Sequence, residues 1–303
     1  MLFRSSLSFL VDGLDVRRGG CAANIAFGLG VLGLNPVLIA AVGKDWVDYE
    51  AWLTRHGVVT SHVLVSENLH TALYMVTTDT ELNQIASFFP GAMSEARNIE
   101  LDPIMDKTGV FDLVIISPDD PDAMLRHTEL CRARGIPFAA DPSQQMARMD
   151  GEAIKQLIDG ATYLFMNEYE LALAIQKTGW SDSEILNRVK TRVVTLGSNG
   201  AQVERSGHEK VIVGVPQEEA KIDPTGVGDS FRSGFLAGVA WGLSEERCAQ
   251  LGSMIATYVI ETKGTQEYRF TRETFLARFK TAYGEQAAGD IATHLARITT
   301  APQ

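Results

Sequence analysis

Short apolar runs alternate with helix-patterned stretches over most of the chain beyond residue 92. The predicted strands lie at 113–117, 137–140, 163–166 and 192–196. The predicted helices between them lie at 121–134, 150–159 and 168–177. Strands that alternate with helices pair in parallel, because each helix carries the chain back across one face of the sheet. The pattern therefore predicts an α/β fold with a doubly wound, mostly parallel sheet flanked by helices.

The segment 58–90 breaks this alternation, because its three strand-like runs follow one another without a helix between them. These runs lie at 58–66, 71–78 and 84–89. Such a meander has one covered face and one face in water. Together with the β-prone residues 6–18, it predicts a small β-sheet lid on an α/β body made of 19–57 and 91–303.

The two ends of that body have their own predicted elements. Before the lid strands, the body has a helix at 22–33, a strand at 36–42 and a helix at 46–56. After the alternating region come a hairpin at 201–215 and helices at 245–261, 271–283 and 286–297. The helix signals rest on apolar spacing, and the hairpin on turn residues between two apolar runs.

Composition and charge exclude several classes of partner. The 303 residues are 45% apolar and 21% charged, which is ordinary for a soluble globular enzyme. A net charge of −11, with no basic cluster beyond Arg17-Arg18, argues against nucleic acid. No apolar run is long enough to span a bilayer, and the N-terminus lacks a convincing signal peptide. The three cysteines lack metal-ligand spacing, so we expect a reducing, cytoplasmic location.

The segment 222–238 carries the signal most specific to function. It reads Ile-Asp-Pro-Thr-Gly-Val-Gly-Asp-Ser-Phe-Arg-Ser-Gly-Phe-Leu-Ala-Gly. Its proline and first two glycines predict a tight loop, and the apolar spacing that follows predicts that the loop opens a helix. The unpaired N–H groups and the positive dipole end of a helix start form an anion site.

Two carboxylates flank this predicted loop. Asp229 is placed to take a proton from an attacking hydroxyl, and Asp223 is placed to orient a magnesium-bound water. The combination suits phosphoryl transfer, which depends on positioning and on charge stabilisation at the phosphate. The alternative is a glycine-rich turn that caps an ordinary core helix, with Asp229 as a first-turn acid.

A second glycine segment lies near the N-terminus, where Arg17-Arg18-Gly19-Gly20 precedes the predicted helix that carries Asn24. Two glycines let the backbone approach a sugar ring closely. The Asn24 amide can both donate to and accept from hydroxyls. By itself, this segment is equally typical of a helix-capping turn.

Two nucleotide-binding motifs can be set aside. Residues 28–33 match G-x-G-x-x-G, but they lie late in a predicted helix and before a strand. A dinucleotide-binding loop has the opposite order, so this match indicates helix packing and a helix end. The chain has no G-x-x-x-x-G-K-[ST] sequence, which argues against a P-loop enzyme.

The two glycine segments together resemble the signatures of the ribokinase-like, phosphofructokinase-B type family of carbohydrate and nucleoside kinases. The C-terminal match is Asp-Pro-Thr-Gly-Val-Gly-Asp-Ser-Phe, and the N-terminal match is the Gly-Gly pair followed by an Asn on a helix. The resemblance implies an anion hole from Gly226, Val227 and Gly228, with Asp229 as catalytic base. It also implies that Gly20 and Asn24 help to seat the ribose.

Further matches imply a nucleotide and metal side of the site. Asn167 and Glu170 resemble the family's Asn-x-x-Glu element, which implies that Asn167 contacts ATP and that Glu170 holds Mg²⁺ through water. The alternative is an N-cap with a capping-box Glu. Thr195 and Gly197 resemble the strand-to-turn element near ATP, or form a plain hairpin turn. The expected cofactors are ATP and Mg²⁺, with a monovalent cation such as K⁺ as a further expectation.

Within the family, the chain most resembles the bacterial adenosine kinases, through 6–12, 84–98, 140–145 and 262–266. The resemblance and the chemistry of aromatic stacking suggest that Tyr74 and Phe88, on lid strands, sandwich a purine. Ser8 and Gln145 would then contact polar edges of the base or ribose. The alternative is that the aromatics only cover the apolar face of the lid.

One departure from the family concerns the N-terminus. Family members begin with a strand that carries an Asp for two substrate hydroxyls, whereas only five residues precede Ser6 and none is acidic. We therefore expect the first core strand to be missing. The predicted activity is ATP-dependent phosphorylation of the 5′-hydroxyl of adenosine to AMP. The alternatives are a sugar kinase acting on ribose and a nucleoside-binding protein without turnover. A homodimer through the lid is a further expectation.

Overall fold

The computed structural model describes residues 10–78 and 84–298. The strands, in chain order, are β1 (Ala41–Val42), β2 (Leu64–Val65), β3 (Leu73–Thr78), β4 (Gln84–Phe89), β5 (Val114–Ile116), β6 (Phe138–Ala140), β7 (Tyr163–Asn167), β8 (Thr191–Thr195), β9 (Ala201–Glu204) and β10 (Val211–Val213). The helices are α1 (Cys21–Val31), α2 (Val47–Arg55), α3 (Asp102–Thr108), α4 (Pro121–Arg134), α5 (Gly151–Ile158), α6 (Glu168–Thr178), α7 (Asp182–Arg188), α8 (Val227–Ala240), α9 (Glu245–Ile260), α10 (Arg272–Tyr283) and α11 (Glu285–Ala292).

A six-stranded sheet in the order β10-β9-β8-β7-β6-β5 forms the centre of the fold. Strands β5 to β8 pair in parallel, and β9 and β10 add an antiparallel hairpin at one edge. Helices α4, α5 and α6 lie close to their predicted positions, and each connects or follows parallel strands. The prediction of an α/β fold with a mostly parallel sheet is confirmed.

Neighbouring residues of β7 show that helices cover both faces of the sheet. Leu164 and Met166 belong to a buried cluster with residues of α4, α5 and α6. Phe165, between them, belongs to a different cluster with residues of α8 and α9, and its ring lies 5.3 Å from that of Phe235. Successive side chains of a strand point to opposite faces, so the sheet is doubly wound as the sequence predicts.

The lid region differs from its prediction. The predicted strand over 58–66 shortens to β2, which pairs in parallel with β1 instead of joining a meander. Only β3 and β4 form the antiparallel hairpin, which we call the lid hairpin (Leu73–Thr78 and Gln84–Phe89). Residues 10–20 contain no strand, although β-prone residues are frequent there. Their apolar side chains are exposed, because strand propensity without a neighbouring strand does not form a sheet.

Other parts of the chain also depart from the prediction. The predicted strand at 36–42 is reduced to β1 and an isolated bridge between Val37 and Val59. Helix α7 and a 3₁₀ helix at Gly91–Asn98 have no predicted counterpart. The division into body and lid, and the expectation of a missing first strand, stay predictions. In the part of the chain described, no helix is long and apolar enough to cross a membrane.

Candidate active site

The predicted glycine loop opens α8, as expected. Gly226 is the N-cap of this helix, with a φ of 78° that strains any residue with a side chain. A Cβ at this position would lie 2.8 Å from Cγ2 of Thr265. Asp229 stands in the first turn of α8, beside the N–H groups that a helix start leaves without intrahelical partners. The loop can therefore receive an anion next to a carboxylate.

The Asp229 carboxylate is held by a residue from the other end of the chain. Nδ2 of Asn24, on α1, donates a hydrogen bond of 2.8 Å to Oδ2 of Asp229. Burial raises the pKa of Asp229, and both the Arg232 guanidinium and the Asn24 hydrogen bond act against that rise. These contacts favour the ionised carboxylate, which is the form that accepts a proton.

Asn24 is also the centre of a buried hydrogen-bond network. Its Oδ1 accepts from Oγ1 of Thr265 and from Nε2 of Gln266, both at 2.9 Å. Gln266 in turn donates to the Tyr49 hydroxyl, and its Oε1 accepts from Trp52. One Asn24 oxygen therefore takes two protein donors, and the ribose contact expected for Asn24 stays a prediction.

The same network fixes the N-terminal glycine turn. The Tyr49 hydroxyl donates to the carbonyl of Gly19 at 2.8 Å. Oγ1 of Thr265 lies 2.9 Å from the carbonyl of Arg18, so its single hydrogen is shared between this carbonyl and Oδ1 of Asn24. Gly20 is the N-cap of α1. The structure thus brings Gly20, Asn24 and Asp229 to one place. Sequence reasoning did not single out Tyr49, Thr265 or Gln266; the resemblance over 262–266 is the signal that pointed to this segment.

Asp223 clamps the glycine loop to the segment after α9. Its Oδ1 accepts from the N–H of Thr225 at 2.9 Å, and its Oδ2 accepts from the N–H of Gly264 at 3.0 Å. Although burial by itself would raise the pKa of Asp223, these hydrogen bonds hold it below its ordinary value. The carboxylate is therefore ionised near neutral pH. Its expected contact with a magnesium-bound water stays a prediction.

The residues expected to contact the nucleotide lie at the carboxyl edge of the parallel sheet. Asn167 ends β7 and pairs in register with Thr195, which ends β8; Gly197 follows in a 3₁₀ turn. Asn167 and Glu170 form a reciprocal capping box on α6, with hydrogen bonds of 2.8 Å in both directions. The capping alternative is therefore observed. Since the cap uses Oε2 of Glu170, it does not by itself occupy the other carboxylate oxygen.

The other expected substrate residues that the structure describes lie at two places. Gln145 is buried, and its Nε2 donates to the carbonyl of Asp119 at 2.7 Å. Tyr74 and Phe88 are direct cross-strand partners in the lid hairpin and are 65% and 42% exposed. Their rings are thus open for stacking rather than buried against the body. Ser8 lies outside the described residues.

Comparison with known proteins identifies the family. A family model described as pfkB family carbohydrate kinase matches residues 3–271. The chain belongs to this family. The nucleoside kinase of Methanocaldococcus jannaschii is 32% identical to this kinase over 250 residues, which cover 82% of this chain and 80% of that protein.

Solved structures agree with this assignment. The Burkholderia thailandensis nucleoside kinase in complex with inosine matches this kinase with a TM-score of 0.86 and 35% identity, over 92% of each chain. The ribokinase of Thermotoga maritima has a TM-score of 0.75 at 21% identity, over 90% of this chain and 91% of that one. The expected ribokinase-like fold is confirmed.

Proposed function

We propose that this kinase transfers the γ-phosphoryl group of ATP to the 5′-hydroxyl of a nucleoside, with adenosine as the acceptor. The observation that carries the proposal is the Asp229 carboxylate, held by Asn24 in the first turn of α8 directly after the Gly226–Gly228 loop. A base next to an anion site is the arrangement that phosphoryl transfer to a hydroxyl requires.

The chemistry follows from these positions. Asp229 accepts the proton of the acceptor hydroxyl as its oxygen attacks the γ-phosphorus, and the bond to the ADP leaving group breaks. The backbone N–H groups of Gly226, Val227 and Gly228, at the positive end of α8, stabilise the charge on the transferred phosphoryl group. Gly20 and Asn24 border the same place, and we assign them to the sugar of the acceptor.

ATP is assigned to the carboxyl edge of β7 and β8, where Asn167, Thr195 and Gly197 lie. The Glu170 carboxylate oxygen that the cap does not use is a ligand type that suits Mg²⁺ held through water. Within the described residues, no group of three or more His, Cys, Asp or Glu forms a metal site. Mg²⁺ binds ATP phosphates and keeps several waters, so it does not need an all-protein cage. When bound, it would neutralise phosphate charge.

The relatives support a nucleoside as the acceptor. The B. thailandensis structures contain inosine and ADP-inosine, and a 26% identical relative from Thermococcus kodakarensis is a cytidine kinase. Open aromatic rings on the lid hairpin suit a base, because base–aromatic stacking does not require a particular hydrogen-bond pattern. In this proposal Tyr74 and Phe88 stack on the base, while Ser8 and Gln145 contact its polar edges or the ribose.

An acceptor panel tests the proposal. The kinase is incubated with ATP and Mg²⁺, with and without K⁺, and with adenosine, inosine, cytidine or ribose, and the phosphorylated products are separated by chromatography. We expect nucleoside 5′-monophosphate, with AMP formed at the highest kcat/KM. Ribose as the best acceptor would establish the sugar-kinase alternative. Nucleoside binding without any product would establish a binding protein.

The stacking role predicts a selective change in KM. Tyr74→Ala and Phe88→Ala should raise the KM for adenosine severalfold and leave the KM for ATP unchanged, since a stacked pair contributes about 0.5–1.5 kcal/mol. Leu73→Ala and Ile85→Ala, on the opposite face of the lid hairpin, are matched controls. Equal effects on both faces would show that the aromatics act only through hairpin stability.

A further inference from the structure

Arg232 is a buried charge directly behind the glycine loop. It lies one turn after Asp229 on α8, its side chain is 10% exposed, and its Nη2 is 2.6 Å from Oδ1 of Asp141. Asp141 follows β6 and is 1% exposed. Apart from this ion pair, Nε of Arg232 and both carboxylate oxygens of Asp141 make no hydrogen bond in the described residues. The pair is thus not saturated by protein partners.

The guanidinium packs against the loop itself. A Cβ on Gly228 would lie 2.8 Å from Nη1 of Arg232, so a side chain there would push the guanidinium out of its present position. On the other side, its Cζ lies 6.0 Å from the centre of the Phe165 ring in the core. The positive charge therefore sits between the apolar core and the backbone that we assign to the phosphoryl group.

Negative charge surrounds this cation. Three carboxylates act on Arg232: Asp141 after β6, Asp229 on α8 and Glu170 on α6. Burial raises the pKa of Asp141, and the Arg232 guanidinium opposes that rise. The Cys21 thiol on α1 and the Tyr49 hydroxyl on α2 also titrate, and the negative charge of Asp229 raises the pKa of both. Of the charged groups that act on Asp229, Arg232 favours the ionised carboxylate and Glu170 opposes it.

We propose that Arg232 is a positioning residue for phosphoryl transfer: anchored by Asp141 and packed behind the Gly226–Gly228 loop, its guanidinium offsets the negative charge of the Asp229 carboxylate and of the transferred phosphoryl group. The inference rests on the proposed function and adds a cation on the protein side of the site. A buried charge interacts more strongly with neighbouring charges than an exposed one does, because less water screens the interaction.

The test compares variants whose electrostatic effects have opposite signs. Arg232→Met should lower kcat at least about tenfold and move the acid limb of the kcat/KM–pH profile up by about one pH unit, because loss of the cation makes Asp229 harder to ionise. Asp141→Asn removes a negative charge and should move the same limb to lower pH. Arg232→Lys keeps the charge and should restore most of the wild-type limb.

Arg192→Met provides the matched control. Arg192 is also buried, and it pairs with Glu204 and Asp182 near the opposite end of β8 from Thr195. This variant should lose thermal stability without moving the acid limb. Loss of stability with an unmoved limb in both Arg232→Met and Asp141→Asn would overturn the proposal and leave Arg232 a structural residue.

A second measurement separates this inference from the choice of acceptor. The pH profiles are recorded with the best acceptor of the panel, so a sugar substrate does not affect them. The carboxyl resonance of Asp229 in ¹³C-aspartate protein, assigned with Asp229→Asn, reports its titration without turnover. If no acceptor reacts, the proposed function fails by itself. An Asp229 titration unchanged by Arg232→Met would contradict the electrostatic effect in either case.

Discussion

At the residue scale, Asp229 illustrates how a carboxylate is kept suitable for base chemistry in a partly buried place. Burial favours its protonated form, whereas Asn24 and Arg232 favour the ionised form. A base of this kind works best when its pKa lies not far below the working pH. The balance between these opposing effects, rather than the carboxylate alone, sets the pH at which Asp229 is active.

Asp229→Asn should abolish turnover and leave the fold intact. The amide keeps the shape of the side chain but does not accept the proton, and loss of a general base typically costs about 10²–10⁴-fold in rate. The measurement is kcat with the best acceptor, together with a thermal melt. Asp122→Asn, a first-turn aspartate of α4, is the control. A variant that keeps more than about a tenth of wild-type kcat would remove Asp229 from the role of base.

Asp119 gives a prediction about pH and stability. Burial raises its pKa from 3.8 to about 7. The folded state therefore holds a proton that the unfolded state releases, and this contribution to stability is lost as pH rises through about 4–7. The amide of Asp119→Asn does not titrate. The melting temperature of this variant, relative to that of the wild type, should therefore be higher at about pH 8 than at about pH 5. The same difference between the two proteins at both pH values would contradict the raised pKa.

At the scale of elements, the start of α8 joins the two ends of the chain. A side chain added at Gly226 would meet Thr265, and Thr265 donates to Asn24, which holds Asp229. The glycine loop, the segment after α9 and the start of α1 therefore depend on one another. Their shared contacts make the loop sensitive to any added side chain.

Gly226→Ala should reduce both stability and activity. A left-handed alanine costs about 1–2 kcal/mol, and the new Cβ would displace Thr265 from the Asn24 network. Gly179→Ala is the control, because Gly179 has a φ of 70° and an added methyl group there would meet nothing within 4 Å. Both variants should lose stability in a denaturant melt, and only Gly226→Ala should lose kcat. Equal activity in the two variants would show that the Thr265 contact is dispensable.

At the scale of the whole molecule, the lid hairpin exposes more large apolar side chains than any other helix or strand pair among the described residues. Leu73, Met75 and Ile85 on one face and Tyr74 and Phe88 on the other are all at least 42% exposed. A two-stranded hairpin with both faces in water is marginally stable by itself. A homodimer through the lid stays our prediction. From the two faces of the hairpin we further expect the partner to cover the Leu73 face and substrate to cover the Tyr74 face.

The oligomeric state measured by analytical ultracentrifugation tests this prediction. The wild type should sediment as a dimer, and Ile85→Glu should shift it towards the monomer, since a buried unpaired charge destabilises an interface. Ile212→Glu introduces the same charge at a 69% exposed position of β10, in the central sheet rather than the lid hairpin, and it should leave the dimer intact. A wild type that is monomeric at assay concentration would contradict the lid dimer.

The sequence by itself determined the features that depend on neighbours along the chain. The alternation of strands and helices from β5 to α6 and the helix that begins after Gly226 were predictable, because apolar period and turn chemistry are local properties. The same applies to the capping box of Asn167 and Glu170, which are three residues apart. Family resemblance then assigned roles to these positions, and those roles stay predictions until the acceptor panel is measured.

Only the tertiary structure decided which distant groups meet. Asn24 and Asp229 are 205 positions apart, and no local pattern records that the amide of one binds the carboxylate of the other. The same is true of Asp141 with Arg232, and of β2, whose parallel partner is β1 rather than the lid hairpin. Hydrogen bonds and ion pairs form between groups that folding brings together. Their strength depends on how deeply the groups are buried and on the angle at which they meet, and both are set by the packing of the folded chain.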